Sequence, residues 1–433
     1  MSELASLLDA RLSRLPDGSV VVGFSGGLDS TVLLHVLARC AQARQRGLSA
    51  LHVCHHLHSD SPRWAAQAHG IAQSLGVAFD PVDVVVDTIA EEGVEAAARR
   101  ARYRAFAQQV PASGVLALAH HRDDQVETVL LRLLHGAGNE GLAGMRGLRR
   151  LHGEGSAWLW RPLLDQPRST LEAYAHQHGL RWIDDPANAQ PEFARNRVRH
   201  RVLPVLREAF PQAEARIIDA AQRLREESDA LSHCANQLLI QHRDPGDGSL
   251  PSAILRELPA ALLRRLIGLW LTQMHLPRPP AGIWLRIMPE LVLARADATP
   301  QLAWRGAQLR RHRDRLYGLG ADVAEAAAWS IEWDGTSDLA LPNAAGTLAF
   351  DPPLSAPQAW QVRTRRGGES LLQNGHHRSL KKLLQEAGIA PWQRAHLPLL
   401  FDDTDQLASI GARWHSDAFA QWLHQHDKTL RLR

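Results

Sequence analysis

The sequence predicts an α/β protein: an N-terminal doubly wound parallel sheet, then a helical middle domain and a small α/β C-terminal domain. Two observations place the sheet. Apolar runs of strand length recur at 19–24 (SVVVGF), 48–54 (LSALHVC), 82–86 (VDVVV) and 115–119 (VLALA). Between them lie TVLLHVLARCAQAR, SPRWAAQAHGIAQSL and EAAARRARYRAFAQQ, each long enough to cross over between parallel strands. A third observation marks where the sheet ends. From about 211 to 315 the pattern reads as helices alone, with ARIIDAAQRLREESDALSHCANQLL and PAALLRRLIGLWLTQ placing apolar residues three and four apart.

The chain has 433 residues, 45% hydrophobic and 22% charged, enough for two or three domains with their own cores. The expected divisions are 1–208 for the α/β domain and 209–320 for the helical one. A linker and the start of the C-terminal region occupy 321–357, passing the proline-rich DPPLSAP, and the last domain takes 358–433. Cys40, Cys54 and Cys234 are scattered without a C-x-x-C pair, which excludes a disulfide framework or a cysteine zinc site. Of 49 basic residues only Lys381, Lys382 and Lys428 are lysine. Residues 1–380 therefore hold neither a Walker A lysine nor a Schiff-base lysine. No apolar run reaches the roughly 18 residues of a membrane span, and MSELASLLDARLSRL lacks the apolar core of a signal peptide, so a cytoplasmic protein without membrane attachment is expected. The net charge of +3 mildly favours an anionic partner.

The first strand ends in Gly23-Phe24-Ser25-Gly26-Gly27-Leu28-Asp29-Ser30, followed by helix formers. Paired glycines after a buried strand allow a tight turn that aims backbone N–H groups at an anion, and the helix N-terminus adds positive potential. Ser25, Ser30 and Thr31 can donate to phosphate oxygens. Asp29 would repel a bare phosphate and makes sense as a Mg²⁺ ligand. An ordinary helix N-cap uses a similar turn, but the full S-G-G-x-D-S string is more specific. The segment also fits a G-x-S-x-G nucleophile elbow with Ser25 as nucleophile, yet only one short helical segment precedes it, leaving no earlier loop for the oxyanion hole.

The string resembles the PP-loop of the N-type ATP pyrophosphatases, which cleave ATP between the α and β phosphates. Further segments resemble the tRNA(Ile)-lysidine synthase family. They are Gly93-Val94-Glu95-Ala96 through Arg99 to Arg102-Tyr103, Ala119 to Thr128, His135-Gly136-Ala137-Gly138, Arg161-Pro162-Leu163-Leu164, Asp184-Asp185 with Asn188, and Arg195-Asn196. Gly367-Gly368, Lys381-Lys382-Leu383 and Gly388 to Trp392 extend the likeness to the C-terminus. The resemblance implies that ATP adenylates carbon 2 of the wobble cytidine in the CAU anticodon of tRNA(Ile), and that the ε-amine of free L-lysine then displaces AMP. ATP and Mg²⁺ are the implied cofactors, and a homodimer is compatible with the reading.

Residue roles follow from that chemistry. Ser25, Gly26, Gly27, Leu28, Asp29 and Ser30 would cradle ATP, with Asp29 on the metal, and His55 and His120 would contact the nucleotide. Asp124 and Glu127, three apart on one helix face, would hold the lysine ammonium, one serving as its base. Without the resemblance, the alternative is an acidic first turn complementing the helix dipole. Arg99 and Arg102 face one way on their helix and would reach the α-phosphate or departing AMP. In the basic run Phe193 to Arg201, Arg195 and Arg199 share one face and Arg197 and Arg201 nearly the opposite one, so one pair would enter the active site while the other grips RNA. Arg195 is expected in catalysis, and Arg195, Arg199, Arg363, Arg365, Lys381 and Lys382 as tRNA contacts, with further arginines at 310, 311, 313 and 315. His52, Cys54 and His56 would align on one strand face, but zinc is disfavoured because no distant cysteines complete a site. The rivals are a PP-loop tRNA thiolase, weakened by the absence of paired cysteines, an RNA-binding protein with a dead PP-loop, and the α/β-hydrolase using Ser25.

Overall fold

The computed structural model describes residues 3–87, 93–151, 157–184, 194–295, 298–321, 328–342 and 346–433. Asp185, Asn188 and Phe193 lie outside the described residues. The chain divides into two compact units, 1–230 and 231–433.

In the first unit the strands are β1 (Val20–Gly23), β2 (Leu48–Cys54), β3 (Ala78–Asp83), β4 (Val115–Ala117), β5 (Leu148–Arg150) and β6 (Trp158–Trp160). They form one sheet in the order β3-β2-β1-β4-β6-β5, parallel throughout except for β5, which runs antiparallel at the edge. The helices are α1 (Glu3–Leu12), α2 (Leu28–Ala38), α3 (Ala41–Gln45), α4 (Ser61–Ser74), α5 (Val94–Gln109), α6 (Arg122–Leu134), α7 (Asn139–Leu142), α8 (Arg168–Gln177), α9 (Ala194–Arg197), α10 (Leu203–Ala209) and the first part of α11 (Ala213–His242), whose residues from 231 on belong to the second unit. Between α9 and α10 the chain makes a π-helical turn, Val198–Val202.

Helix α2 is apolar nearly all round, as a helix packed on every side must be. Its Val32, Leu33, Leu34 and Leu37 are fully buried with Val20, Val22 and Leu171, each large side chain contributing roughly 1.5–3 kcal/mol by leaving water. The strand order reverses direction of progress at β1, between β2 and β4. In such sheets the crevice at the carboxyl ends beside that point receives ligands. One element departs from expectation: the third strand is Ala78–Asp83, not 82–86. It sits at the sheet edge, where Pro81 is tolerated, and Val85 beyond it is exposed.

In the second unit helices Ala260–Gln273 and Ala281–Arg286 pack with the end of α11 around the fully buried Trp270. The expectation of helices alone to 315 is corrected here. Gln301–Trp304, Ala307–His312 and Arg315–Gly320 are antiparallel strands, joined at the edge by Leu250–Pro251. The C-terminal part holds a five-stranded sheet built on Trp360–Arg363, Leu399–Phe401 and Leu407–Ile410, covered by Asp417–Gln425.

Candidate functional site

The loop after β1 closes on itself before any ligand is considered. Gly26 has φ of +80°, and a Cβ there would lie 2.5 Å from Ile183 Cδ1, so glycine is required both by conformation and by space. Its carbonyl accepts from Ile183 N at 2.9 Å and Thr31 Oγ1 at 3.2 Å. Ser30 Oγ donates to the Gly27 carbonyl at 3.0 Å, so the 3.1 Å contact between Ser25 and Ser30 hydroxyls has Ser25 as donor. Ser25 Oγ also accepts from Gly27 N at 3.3 Å. Among the described residues no histidine is bonded to Ser25, and a serine nucleophile lacks its base. The loop is arranged to present hydroxyls and the start of α2.

Around it lies a cavity of about 800 Å³, lined by Ser25, Gly27, Leu28, Asp29 and Ser30 on one side and by His55, Arg102, His120, Asp124 and Arg199 on others. Asp29 Oδ1 is buried and has no hydrogen-bond donor, its nearest cation being Arg168 Nε at 3.9 Å. Its Oδ2 lies 3.6 Å from His121 Nε2. A carboxylate oxygen held out of water without a donor fits a Mg²⁺ bound through one carboxylate and substrate phosphates. No group of three His, Cys, Asp or Glu suited to a metal occurs among the described residues.

The histidine run divides its labour. His52 Nδ1 bonds the Phe24 carbonyl at 2.8 Å, a structural tie. His56, at φ +52°, leaves the strand and pairs with Asp83 at 2.6 Å, so the expected alignment with His52 and Cys54 does not form. His55 faces the cavity with a buried, unpartnered Nδ1. Burial, then the charges of Arg102, His52 and His56, push its pKa down to about 4, so the ring is neutral near pH 7.

Asp124 and Glu127 occupy the first turns of α6, where Asp124 Oδ2 accepts from His121 N at 3.0 Å. Glu127, 1% exposed, accepts from Arg195 Nε and from Arg199 Nε, each at 2.6 Å. Asp124 Oδ1 accepts from Arg195 at 2.9 Å and Arg199 at 3.3 Å. The shared face of Arg195 and Arg199 thus closes on the acidic pair, and the two carboxylates expected to hold the lysine ammonium are here paired with two guanidinium groups. Both guanidinium side chains are part-buried, 24% and 28% exposed. Arg199 lines the cavity, whereas Arg195 does not.

Of the α5 arginines, Arg102 reaches the cavity wall, while Arg99 stacks over the Tyr103 ring at 4.9 Å and bonds its hydroxyl at 3.4 Å. Sequence reasoning gave no role to Arg168, Trp64 or Ile183, all on the cavity wall. Nothing in their local pattern distinguishes them from helix and loop residues elsewhere.

In the C-terminal part, Lys381 and Lys382 are exposed on helix Leu380–Glu386. Arg363 is different, its side chain 8% exposed, lying over Phe401 at 3.7 Å with Glu369 and Asp405 within 3.8 Å. Arg365 lies 3.7 Å from the same Glu369. Among the other arginines, Arg311 is fully buried and caps the carbonyls of Val292 and Arg295, which corrects its reading as a phosphate contact. Arg313 bonds the Gln385 carbonyl and Arg315 bonds Ser249.

Three family models match the chain: a PP-loop domain over residues 2–206, a TilS substrate binding domain over 250–317 and a TilS substrate C-terminal domain over 360–432. The tRNA(Ile)-lysidine synthase of Xanthomonas campestris pv. campestris is 41% identical over 421 residues, covering 96% of each chain. That of Pseudomonas aeruginosa is 41% identical over 93% of this chain and 91% of its own. The enzyme of the same name from Alkalilimnicola ehrlichii is 40% identical over 89% and 87% respectively.

Proposed function

The chain belongs to the tRNA(Ile)-lysidine synthases, ATP-dependent ligases acting on tRNA, and from that premise we propose how its own residues divide the reaction. The wobble cytidine oxygen on carbon 2 attacks the α-phosphorus of ATP and pyrophosphate leaves. The ε-amine of lysine then attacks carbon 2, and AMP departs with that oxygen.

The observation that carries the assignment is that one cavity joins the loop of Ser25 to Ser30 with Asp124, which is ion-paired together with Glu127. The loop hydroxyls and the α2 N-terminus bind the triphosphate, Arg102 and Arg168 add positive charge, and His55 and His120 contact the nucleotide. Asp29 would hold Mg²⁺, which when bound offsets charge on the phosphates. Arg99 acts from behind the wall through Tyr103 rather than on the α-phosphate directly.

Lysine carries an ammonium with a solution pKa near 10.4, so it must lose a proton before attack. Asp124 and Glu127 suit that task once a cation they already hold gives way. Arg199, the cavity-lining member of the quartet, is the cation that the lysine ammonium replaces, leaving Arg195 as the fixed counter-charge. Lys381, Lys382 and Arg365 supply tRNA contacts, and the divisions at 208, 320 and 357 separate catalysis from tRNA positioning.

The test is Asp29→Asn. Pyrophosphate release with ATP and CAU-anticodon tRNA(Ile) should fall at least about 100-fold while tRNA affinity stays within about twofold. Parallel loss of both would make Asp29 a structural residue.

A further inference from the structure

Arg161 and His120 follow β6 and β4, neighbouring parallel strands of the sheet. Arg161 is only 4% exposed, and among the described residues it makes no ion pair with a carboxylate. Its guanidinium instead donates to three neutral acceptors. Nη1 reaches the Arg146 carbonyl at 2.9 Å, Nη2 the Tyr103 hydroxyl at 3.3 Å, and Nε reaches His120 Nδ1 at 3.2 Å.

A guanidinium has donors only. His120 Nδ1 must therefore offer its lone pair, and the single proton of the neutral ring sits on Nε2. A protonated ring would set N–H against N–H. The surroundings agree: burial, then the charges of Arg161, Arg195, Arg99 and Arg102, hold the His120 pKa well below its ordinary value. Tyr103 steadies the arrangement, its hydroxyl shared between Arg161 and Arg99.

Building on the reading of the cavity as the nucleotide site, we propose that Arg161 is a positioning residue that locks His120 as an Nε2–H donor to a phosphate oxygen of the bound nucleotide. His120 is then never the base that takes the lysine proton, and that duty falls to the Asp124 and Glu127 pair. A proton fixed on Nε2 meets charge as it develops on the phosphoryl oxygens, with no reorganisation at the moment pyrophosphate leaves.

The direct test is the tautomer in the full-length protein. With ¹⁵N-histidine labelling, and His120 assigned by difference from His120→Gln, Nε2 should be protonated and Nδ1 bare from about pH 5 to 8. A proton on Nδ1, or titration inside that window, overturns the proposal. Kinetics give a second arm. A glutamine amide nitrogen stands near the position of Nε2 and an asparagine nitrogen near that of Nδ1. His120→Gln should keep tRNA-dependent pyrophosphate release within about tenfold, while His120→Asn and His120→Ala lose about 100-fold. Equal losses in the glutamine and asparagine variants contradict the lock. In Arg161→Met the His120 signals should begin to titrate or mix tautomers, and an unchanged spectrum would remove Arg161 from the account. The first two arms do not depend on that variant folding. If the lysidine reading itself failed, wild-type pyrophosphate release would be absent while the tautomer still reported on Arg161.

Discussion

At the scale of single residues, the candidate site gathers groups held in unusual protonation or pairing states. His55 illustrates the energetic consequence. Above pH 6.5 the ring is neutral in both the folded and unfolded chain. Between 6.5 and about 4 the unfolded chain binds a proton that the folded one refuses, so this residue's effect is to lower stability as pH falls through that window. Below about 4 both states are protonated and the dependence ends. His55→Asn should therefore unfold with a shallower acid dependence between pH 6.5 and about 4 in urea titrations. A slope identical to wild type would show that His55 is solvated. The sequence made His55 visible as part of a histidine run, but not that its ring would line the cavity with a buried Nδ1 left unpartnered. That depended on where β2 stopped, with His52 still tied to Phe24 and His56 turned out to Asp83.

At the scale of elements, the loop between β1 and α2 was legible because its requirements are local. Two glycines, two serines and an aspartate in fixed spacing describe a turn that few other sequences make. Gly26→Ala would force a side chain into φ +80° and against Ile183, which should destabilise the first unit by roughly 1–3 kcal/mol and weaken ATP binding. Thermal melts with and without ATP measure both effects, and a stability equal to wild type would mean the loop relaxes freely. Other elements were hidden for physical reasons. Ala307–His312 carries Arg310 and Arg311 in succession, so a buried arginine bonded to carbonyls breaks the apolar alternation that marks a strand. The closure of Arg195 and Arg199 onto Asp124 and Glu127 was half legible. The shared helix face followed from spacing, whereas the partner across 68 residues could not be read from it.

At the scale of the whole molecule, a chain with 46 arginines and three lysines spends much of that charge internally. Arg311, Arg313 and Arg315 bond carbonyls or a hydroxyl within the second unit, and Arg363 lies within 3.8 Å of two acids there. The exposed Lys381 and Lys382 are better placed for phosphate. Replacing both with alanine should weaken tRNA binding and reduce its salt dependence by about one to two counter-ions, with ATP affinity unchanged. An unaltered salt slope would place the tRNA elsewhere. Composition thus overstated the basic surface, because burial and pairing are set by the fold. No helix among the described residues is long and apolar enough to cross a membrane.

The most direct measurement is incorporation of labelled lysine into a CAU-anticodon tRNA(Ile) transcript, with ATP omitted in one reaction and elongator tRNA(Met) substituted in another. The account predicts ATP-dependent labelling confined to tRNA(Ile), with one AMP and one pyrophosphate formed per lysine joined. Pyrophosphate release without lysine in the RNA would contradict it.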